Sequence, residues 1–465
     1  MRQFGLKLKR STHDWLDKVL TSHTLDYKQV IGIIIPILVD TAFLVVMSLF
    51  NTAMISSSGV AAVSAVNMVD SLNIFIISVF IALATGGTVI VAQYKGSGNM
   101  PMVSKSATQA ISAVALASLI IGLLVIGLHE GTLNLLFGKA EADVMTNAKI
   151  YLIGSCLSFP FYGLYQAVVG VLRGVGETKV CLLLSIIMNL TSFLFNLVFI
   201  TMLDMGVVGL VISQLVARFI GMASAMVYMF RFSHMIVIKL ADMIRLDWSI
   251  IRRIMYIGVP FAAEQLFFNG GKLLTQTYIV QFGTLALTVN AISGSISLLF
   301  QNGASSLSVA VVTVVGQCIG RRDIQDARKY IKAFLILSSA SFLVMNALIL
   351  PMFPFIMKLF SPPEEIVPEI FRLTLLMAVS QPILWSISFI TPSALRAAGD
   401  SKFTSIAALL SMWLIRVVLG YIMGVSLEMG IFGVWLAMVI EWGFRGAVFM
   451  WRLRGDKWYS HKLID

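Results

Sequence analysis

The chain has 465 residues, of which 58% are hydrophobic and only 12% charged, with 34 Lys and Arg set against 23 Asp and Glu for a formal net charge of +11. Soluble domains carry about a quarter of their residues as charged groups, so these figures exclude a soluble fold and imply a polytopic membrane protein. Cys156, Cys181 and Cys318 lie in or beside apolar runs without paired spacing, which points to neither a disulfide framework nor a zinc site. The histidines all lie outside those runs, against an intramembrane metal or haem centre.

In chain order, residues 1–28 mix Arg2, Lys7, Lys9, Arg10, Lys18 and Lys28 with Trp15, Leu16, Val19 and Leu20, the pattern of an interfacial amphipathic helix. The segment lacks the apolar core and small-residue cleavage site of a signal peptide. A membrane-crossing helix needs about 20 apolar residues. Runs of that kind are predicted near 29–55, 60–94, 103–128, 146–171, 180–201, 205–230, 254–282, 286–318, 329–353, 367–394, 403–424 and 429–451. The organisation expected is a cytoplasmic amphipathic N-terminus over 1–28, a first lobe over 29–230, a cytoplasmic linker over 231–253, a second lobe over 254–451 and a cytoplasmic tail over 452–465.

Lysine and arginine test this division, because cytoplasmic loops attract them. Only Lys139, Lys149 and Lys358 fall on the opposite side, and Arg218, Lys272, Arg372, Arg416 and Arg445 fall within spans; the rest collect at the two termini and in the loops after alternate spans. Both termini are therefore expected in the cytoplasm. The positive charge is accounted for by topology and by anionic lipid, with no nucleic-acid partner implied.

The chain also repeats itself at about 224 positions. Pro36 and Asp40 return as Pro260 and Glu264, Gln93 and Gly96 as Gln317 and Gly320, and Met205-Gly206-Val207-Val208-Gly209 as Met429-Gly430-Ile431-Phe432-Gly433. Leu172-Arg173-Gly174-Val175-Gly176-Glu177-Thr178-Lys179 returns as Leu395-Arg396-Ala397-Ala398-Gly399-Asp400-Ser401-Lys402, one residue out of step. Six crossings bring the chain back to its starting side, so the halves share one orientation and are related by an axis along the membrane normal. The fold expected is all-α, with 12 transmembrane helices in two pseudo-symmetric six-helix lobes around a central cleft, the layout of a transporter built from repeats.

An ionisable group deep in a bilayer costs about 2.5 to 3.5 kcal/mol on insertion scales, so each needs a reason. At about 1.5 Å per residue, Asp40 and Glu264 fall at mid-depth in matching positions, and Asp70 lies about as deep. Pro36 and Pro260, each one turn before its acid, lack an N–H and so kink their helices, freeing the carbonyl four residues before the proline. A carboxylate beside a free carbonyl is a site for a proton or a small cation, which makes Glu264, Asp40 and Asp70 the ion-coupling candidates. The structural alternative is that they are salt-bridged to Arg218, Lys272 or Arg416. Glu441 and Arg445, four apart, read as a local pair, and Arg372 sits near a helix end where its side chain can snorkel. The 25 methionines and 30 phenylalanines suit a cleft that accepts many shapes. No Gly-x-x-x-x-Gly-Lys-Ser/Thr loop is present to bind ATP, and no paired catalytic groups stand out, so transport without enzymatic activity, driven by a H⁺ or Na⁺ gradient and needing no other cofactor, is the expectation.

The residues resemble the multidrug and toxic compound extrusion (MATE) transporters of bacteria. The resemblance covers nearly the whole chain after residue 28 and rests on Ala92-Gln93-Tyr94-Lys95-Gly96-Ser97-Gly98-Asn99 with its echo Gly316-Gln317-Cys318-Ile319-Gly320, on the repeated Leu172 and Leu395 motifs, and on Asn51-Thr52-Ala53-Met54-Ile55. It implies two six-helix lobes around a central cavity, and export of cationic amphipathic compounds against Na⁺ or H⁺. Asn51 stands where many members have the first-helix acid, fifteen residues beyond the proline, and Gln381-Pro382-Ile383-Leu384-Trp385 lacks the helix-10 acid of one branch, whereas Glu264 resembles an acid important in several members. A substrate cavity lined by Asn51, Arg218, Lys272, Gln381 and Arg416 is expected, in a monomer of the bacterial cytoplasmic membrane whose partners are the lipid bilayer and a small-molecule substrate. The alternative is a lipid-linked sugar flippase, or an exporter of a dedicated metabolite, of related architecture. Such flippases generally have more spans and a cationic cavity, and Arg218, Lys272 and Arg416 speak for it.

Overall fold

A computed structural model describes residues 17–56, 59–138 and 141–464. Part of the expected amphipathic N-terminus, residues 1–16, lies outside the described residues. Twelve long helices follow in chain order: α1 (Tyr27–Ser56), α2 (Val60–Gly96), α3 (Met100–Gly127), α4 (Ala142–Val175), α5 (Thr178–Met202), α6 (Gly206–Phe232), α7 (Trp248–Gln281), α8 (Thr284–Gly320), α9 (Ile324–Phe360), α10 (Glu364–Ala397), α11 (Ser401–Ser426) and α12 (Gly430–Arg454). Among the described residues, 11 are long and apolar enough to cross a membrane. The exception is α7, diluted by Glu264, Asn269, Lys272 and Gln276. Helices satisfy every backbone hydrogen bond within the segment, the condition for crossing lipid, and their outward faces are apolar, as at Leu49, Leu123 and Val379.

The repeat is visible in the punctuation of the helices. Asn99 caps α3 by accepting from the Met102 N–H at 3.2 Å, and Asp323, its counterpart, caps α9 by accepting from the Asp326 N–H at 2.9 Å. Gly176 after α4 (φ 87°) and Gly399 after α10 (φ 102°) both take the left-handed conformation that ends a helix at little cost to glycine. Wide π turns interrupt α10 at Gln381–Trp385, where Pro382 has no N–H to give, and α11 at Ser411–Val417.

Two compact units result: residues 35–262, and residues 263–465 with the chain before residue 35. Their limits fall inside α1 and α7, next to Pro36 and Pro260, whereas the sequence placed the limits in loops. In the first unit α2 and α4 pack closely enough that a Cβ at Gly174 would come 2.8 Å from the Thr88 carbonyl oxygen. Its core includes Val69, Phe80, Leu152, Phe159 and Val207. The segment between α6 and α7 is strapped to α3: Gln109 Nε2 donates to the Arg245 carbonyl at 2.9 Å, Ser112 Oγ to the Met243 carbonyl at 2.8 Å, and Lys105 pairs with Asp247 at 2.6 Å. In the second unit Phe300, Phe342, Leu373, Trp385 and Trp442 form the core. There the chain before α1 is tied to α9, with the Thr24 N–H donating to Asp326 Oδ2 at 2.7 Å and Tyr330 Oη to the Leu25 carbonyl at 2.6 Å.

Candidate functional site

Each half carries one buried carboxylate a turn beyond a helical proline, and each is paired with an arginine from the repeated Leu-Arg motif. In the first unit Asp40 is 4% exposed, and Arg173 Nη2 lies 3.5 Å from Asp40 Oδ2. In the second, Arg396 Nη1 donates to both Glu264 oxygens at 3.3 and 3.1 Å, and Ser405 Oγ donates to Oε2 at 3.0 Å. The arginines are within reach because α4 runs on to Val175 and α10 to Ala397, past the ends at 171 and 394 expected from hydropathy.

The partners weighed from sequence, Arg218, Lys272 and Arg416, are not the ones used. Arg173 and Arg396 carry a signal that could have found them: the proline-acid pair and the arginine recur at almost the same offset, so they had to be neighbours in both halves or in neither.

Asp70 differs from the other two acids. It is half-buried on α2 and accepts from Tyr151 Oη at 2.8 Å and from Asn73 Nδ2 at 3.2 Å. Among the described residues no cation lies within ion-pair distance of it. Arg218, in the same unit, is buried over the Tyr162 ring at 4.7 Å and donates to Ser158 Oγ at 2.6 Å. Asn51, where a carboxylate would be expected by resemblance, accepts from Asn196 Nδ2 at 3.0 Å, a neutral amide pair.

The second unit carries a half-open cavity of about 530 Å³ lined by Lys272 and Arg416 together with Phe268, Trp385, Trp435 and Trp442. Gln381 is not among the residues that line this cavity. It is fully buried and donates to Ser297 Oγ at 2.8 Å, so Ser297 faces the cavity and Gln381 supports it from behind. Glu441 and Arg445 form the local pair anticipated, at 3.2 Å and with Ser411 Oγ donating to Glu441 at 3.0 Å. Arg372 lies 3.7 Å above the Phe432 ring centroid, its side chain more than half exposed, as a helix-end arginine should. No cluster of metal-ligating side chains occurs among the described residues.

Twelve helices in two related halves, each with a buried acid–arginine pair and one with an aromatic cavity, define a polytopic helical membrane transporter. The chain belongs to the MatE family, whose profile matches residues 36–199 and 260–422, one copy in each half. It is 27% identical over 428 residues to the uncharacterized transporter YisQ of Bacillus subtilis, covering 91% of this chain and 93% of the relative. It is 24% identical over 448 residues to the probable multidrug resistance protein NorM of Thermotoga maritima, covering 94% of each. Among solved structures, the outward-facing conformation of a multidrug resistance MATE family transporter of the MOP superfamily superposes with a TM-score of 0.84 at 18% identity, over 92% of this chain and 95% of that one. A MOP superfamily transporter from Pyrococcus furiosus, described as having a binding pocket of reverse polarity, superposes at 0.82 with 19% identity over the same shares. A membrane transporter is the resulting class.

Proposed function

We propose that this protein is a secondary active exporter of amphipathic small molecules, coupled to inward movement of H⁺ or Na⁺, working as a monomer in the bacterial cytoplasmic membrane with both termini in the cytoplasm. The multidrug resistance names of its relatives support export, and the lysine and arginine distribution supports the orientation. Cationic cargo is what the family resemblance implied.

The observation that carries ion coupling is Asp70. A carboxylate hydrogen-bonded by a phenol and an amide, with the Arg218 charge acting on it from beyond ion-pair distance, can take up a proton or Na⁺ without breaking an ion pair. Asp40 and Glu264 each face that extra cost, because loading an ion there leaves Arg173 or Arg396 without its counter-charge. Asp70 is therefore placed ahead of Glu264 as the coupling acid, and the two pairs are assigned to holding α1 against α4 and α7 against α10. Ion loading can shift the equilibrium between transport states only by the ion's differential affinity for them.

The test is flux of fluorescent pyrene probes, one bearing a sulfonate and one a trimethylammonium group, in liposomes holding the purified chain under separately imposed proton and sodium gradients. Wild type should move at least one probe only while a gradient lasts, and Asp70→Asn should abolish that dependence while remaining folded. Flux that persists after both gradients are collapsed, or undiminished coupling in Asp70→Asn, contradicts the reading.

A further inference from the structure

We propose that the cavity of the second unit is a binding site for an organic anion carrying a flat apolar ring, with Lys272 and Arg416 receiving the negative group. This rests on the exporter reading for its purpose and departs from the cationic cargo that the resemblance implied.

Charge is the first argument. None of the described lining residues is acidic, whereas Lys272 and Arg416 both face the space. Lys272 Nζ stands 4.9 Å and the Arg416 guanidinium carbon 5.9 Å from the centroid of the same ring, Phe268. Two cations gathered about one ring repel each other, and a ring face offsets only a small part of that. The carboxylate of α12, Glu441, takes Arg445 and Ser411 on Oε1 and reaches Arg416 only through its charge, without a hydrogen bond or ion pair to either cavity cation. Arg416 Nη2 donates to a thioether, Met438 Sδ at 2.8 Å, a weak acceptor for a guanidinium. A carboxylate, sulfonate or phosphate between Lys272 and Arg416 would supply the missing counter-charge through charge-assisted hydrogen bonds.

Shape is the second argument. The volume, about 530 Å³, suits a small organic molecule. Trp385 and Phe389 stack at 4.5 Å with their planes 18° apart, and Arg445 covers the Phe389 ring at 4.4 Å, so one wall is a flat, rigid aromatic surface. Across it Asn290 is fixed between Trp435, whose Nε1 donates to its Oδ1 at 3.0 Å, and Gln276 Oε1, to which it donates at the same distance. Polar amides held in place around a flat apolar wall, with cations at one end, are the elements of an amphipathic anion site.

Binding of pyrene-1-sulfonate to the full-length protein in detergent, followed by quenching of tryptophan fluorescence, tests this without any gradient. The sulfonate should bind more tightly than the matched trimethylammonium probe, and Lys272→Gln and Arg416→Gln should each weaken it by about tenfold or more. Lys272→Arg should keep most of the affinity, which separates lost charge from a damaged fold. Equal or tighter binding of the cationic probe, or sulfonate affinity unchanged in both glutamine variants, overturns the proposal. Displacement by short-chain phosphatidylglycerol assigns the site to a lipid headgroup, and resistance to displacement assigns it to a free organic anion; either outcome keeps the anion site. Charge-selective binding without gradient-driven flux would sink the exporter reading alone, and coupled flux with the cation preferred would sink this one alone.

Discussion

The two halves of the chain share an acid–arginine pair and diverge in everything around it. In the first unit the remaining intramembrane polar groups centre on an acid, Asp70, held by Tyr151 and Asn73, while its arginine, Arg218, is buried on Tyr162. In the second, the position matching Asp70 is Gly294, and the cavity it lines carries Lys272 and Arg416 instead. Duplication thus kept the parts that brace helices and let the parts that meet solutes take opposite charge. A repeated residue is evidence of packing first; the unmatched residue is where chemistry is to be sought.

The comparison breaks most readily at the braces. Glu264→Gln should leave Arg396 buried beside a neutral amide and cost about 3–5 kcal/mol, seen as a large fall in melting temperature in detergent. Adding Arg396→Gln should recover part of that loss, since the uncompensated charge goes with it; no recovery would mean the pair is not the unit of stability. Asp40→Asn should cost less, about 1–3 kcal/mol, because the Asp40–Arg173 pair is a single contact at 3.5 Å, Ser185 also bonds the carboxylate, and the Arg173 side chain is 23% exposed. Equal losses in the two halves would erase the asymmetry argued from geometry.

A smaller effect sharpens the second unit at the α10–α11 corner, outside the spans. Burial alone would raise the Asp400 carboxyl, but hydrogen bonds from His461 and Arg452, with the charge of Arg452, outweigh it and hold the group below its ordinary 3.8. A depressed carboxyl stabilises the fold above its unfolded pKa and loses that contribution as pH falls through the folded value. The melting-temperature gap between wild type and Asp400→Asn should therefore be full at neutral pH and shrink below pH 3.8. A gap that stays constant with pH would mean that the Asp400 charge does not stabilise this corner.

Much of this was legible in the residues. Hydropathy gave the helices to within a few positions, and the offset between Pro36 and Pro260 gave the duplication. The acids at Asp40 and Glu264 were legible too, but their partners were not, because hydropathy ends a span where charge begins, while α4 and α10 continue as helix for another turn and carry Arg173 and Arg396 inward. The cavity was half legible. Lys272 and Arg416 stood out as intramembrane charges, yet the aromatic wall of Trp385 and Phe389 depends on how α10 turns at Gln381–Trp385, which a single sequence does not fix.

Asp70 handling the driving ion, with Lys272 and Arg416 receiving the cargo, is the division of labour proposed for this protein. Its most direct measurement pairs pyrenesulfonate affinity with gradient dependence of flux in Asp70→Asn and Lys272→Gln. The account predicts that Asp70→Asn loses coupling and keeps its affinity, whereas Lys272→Gln loses affinity and, at saturating probe, still responds to the gradient. Both variants failing in both readouts, or exchanging these roles, would contradict it.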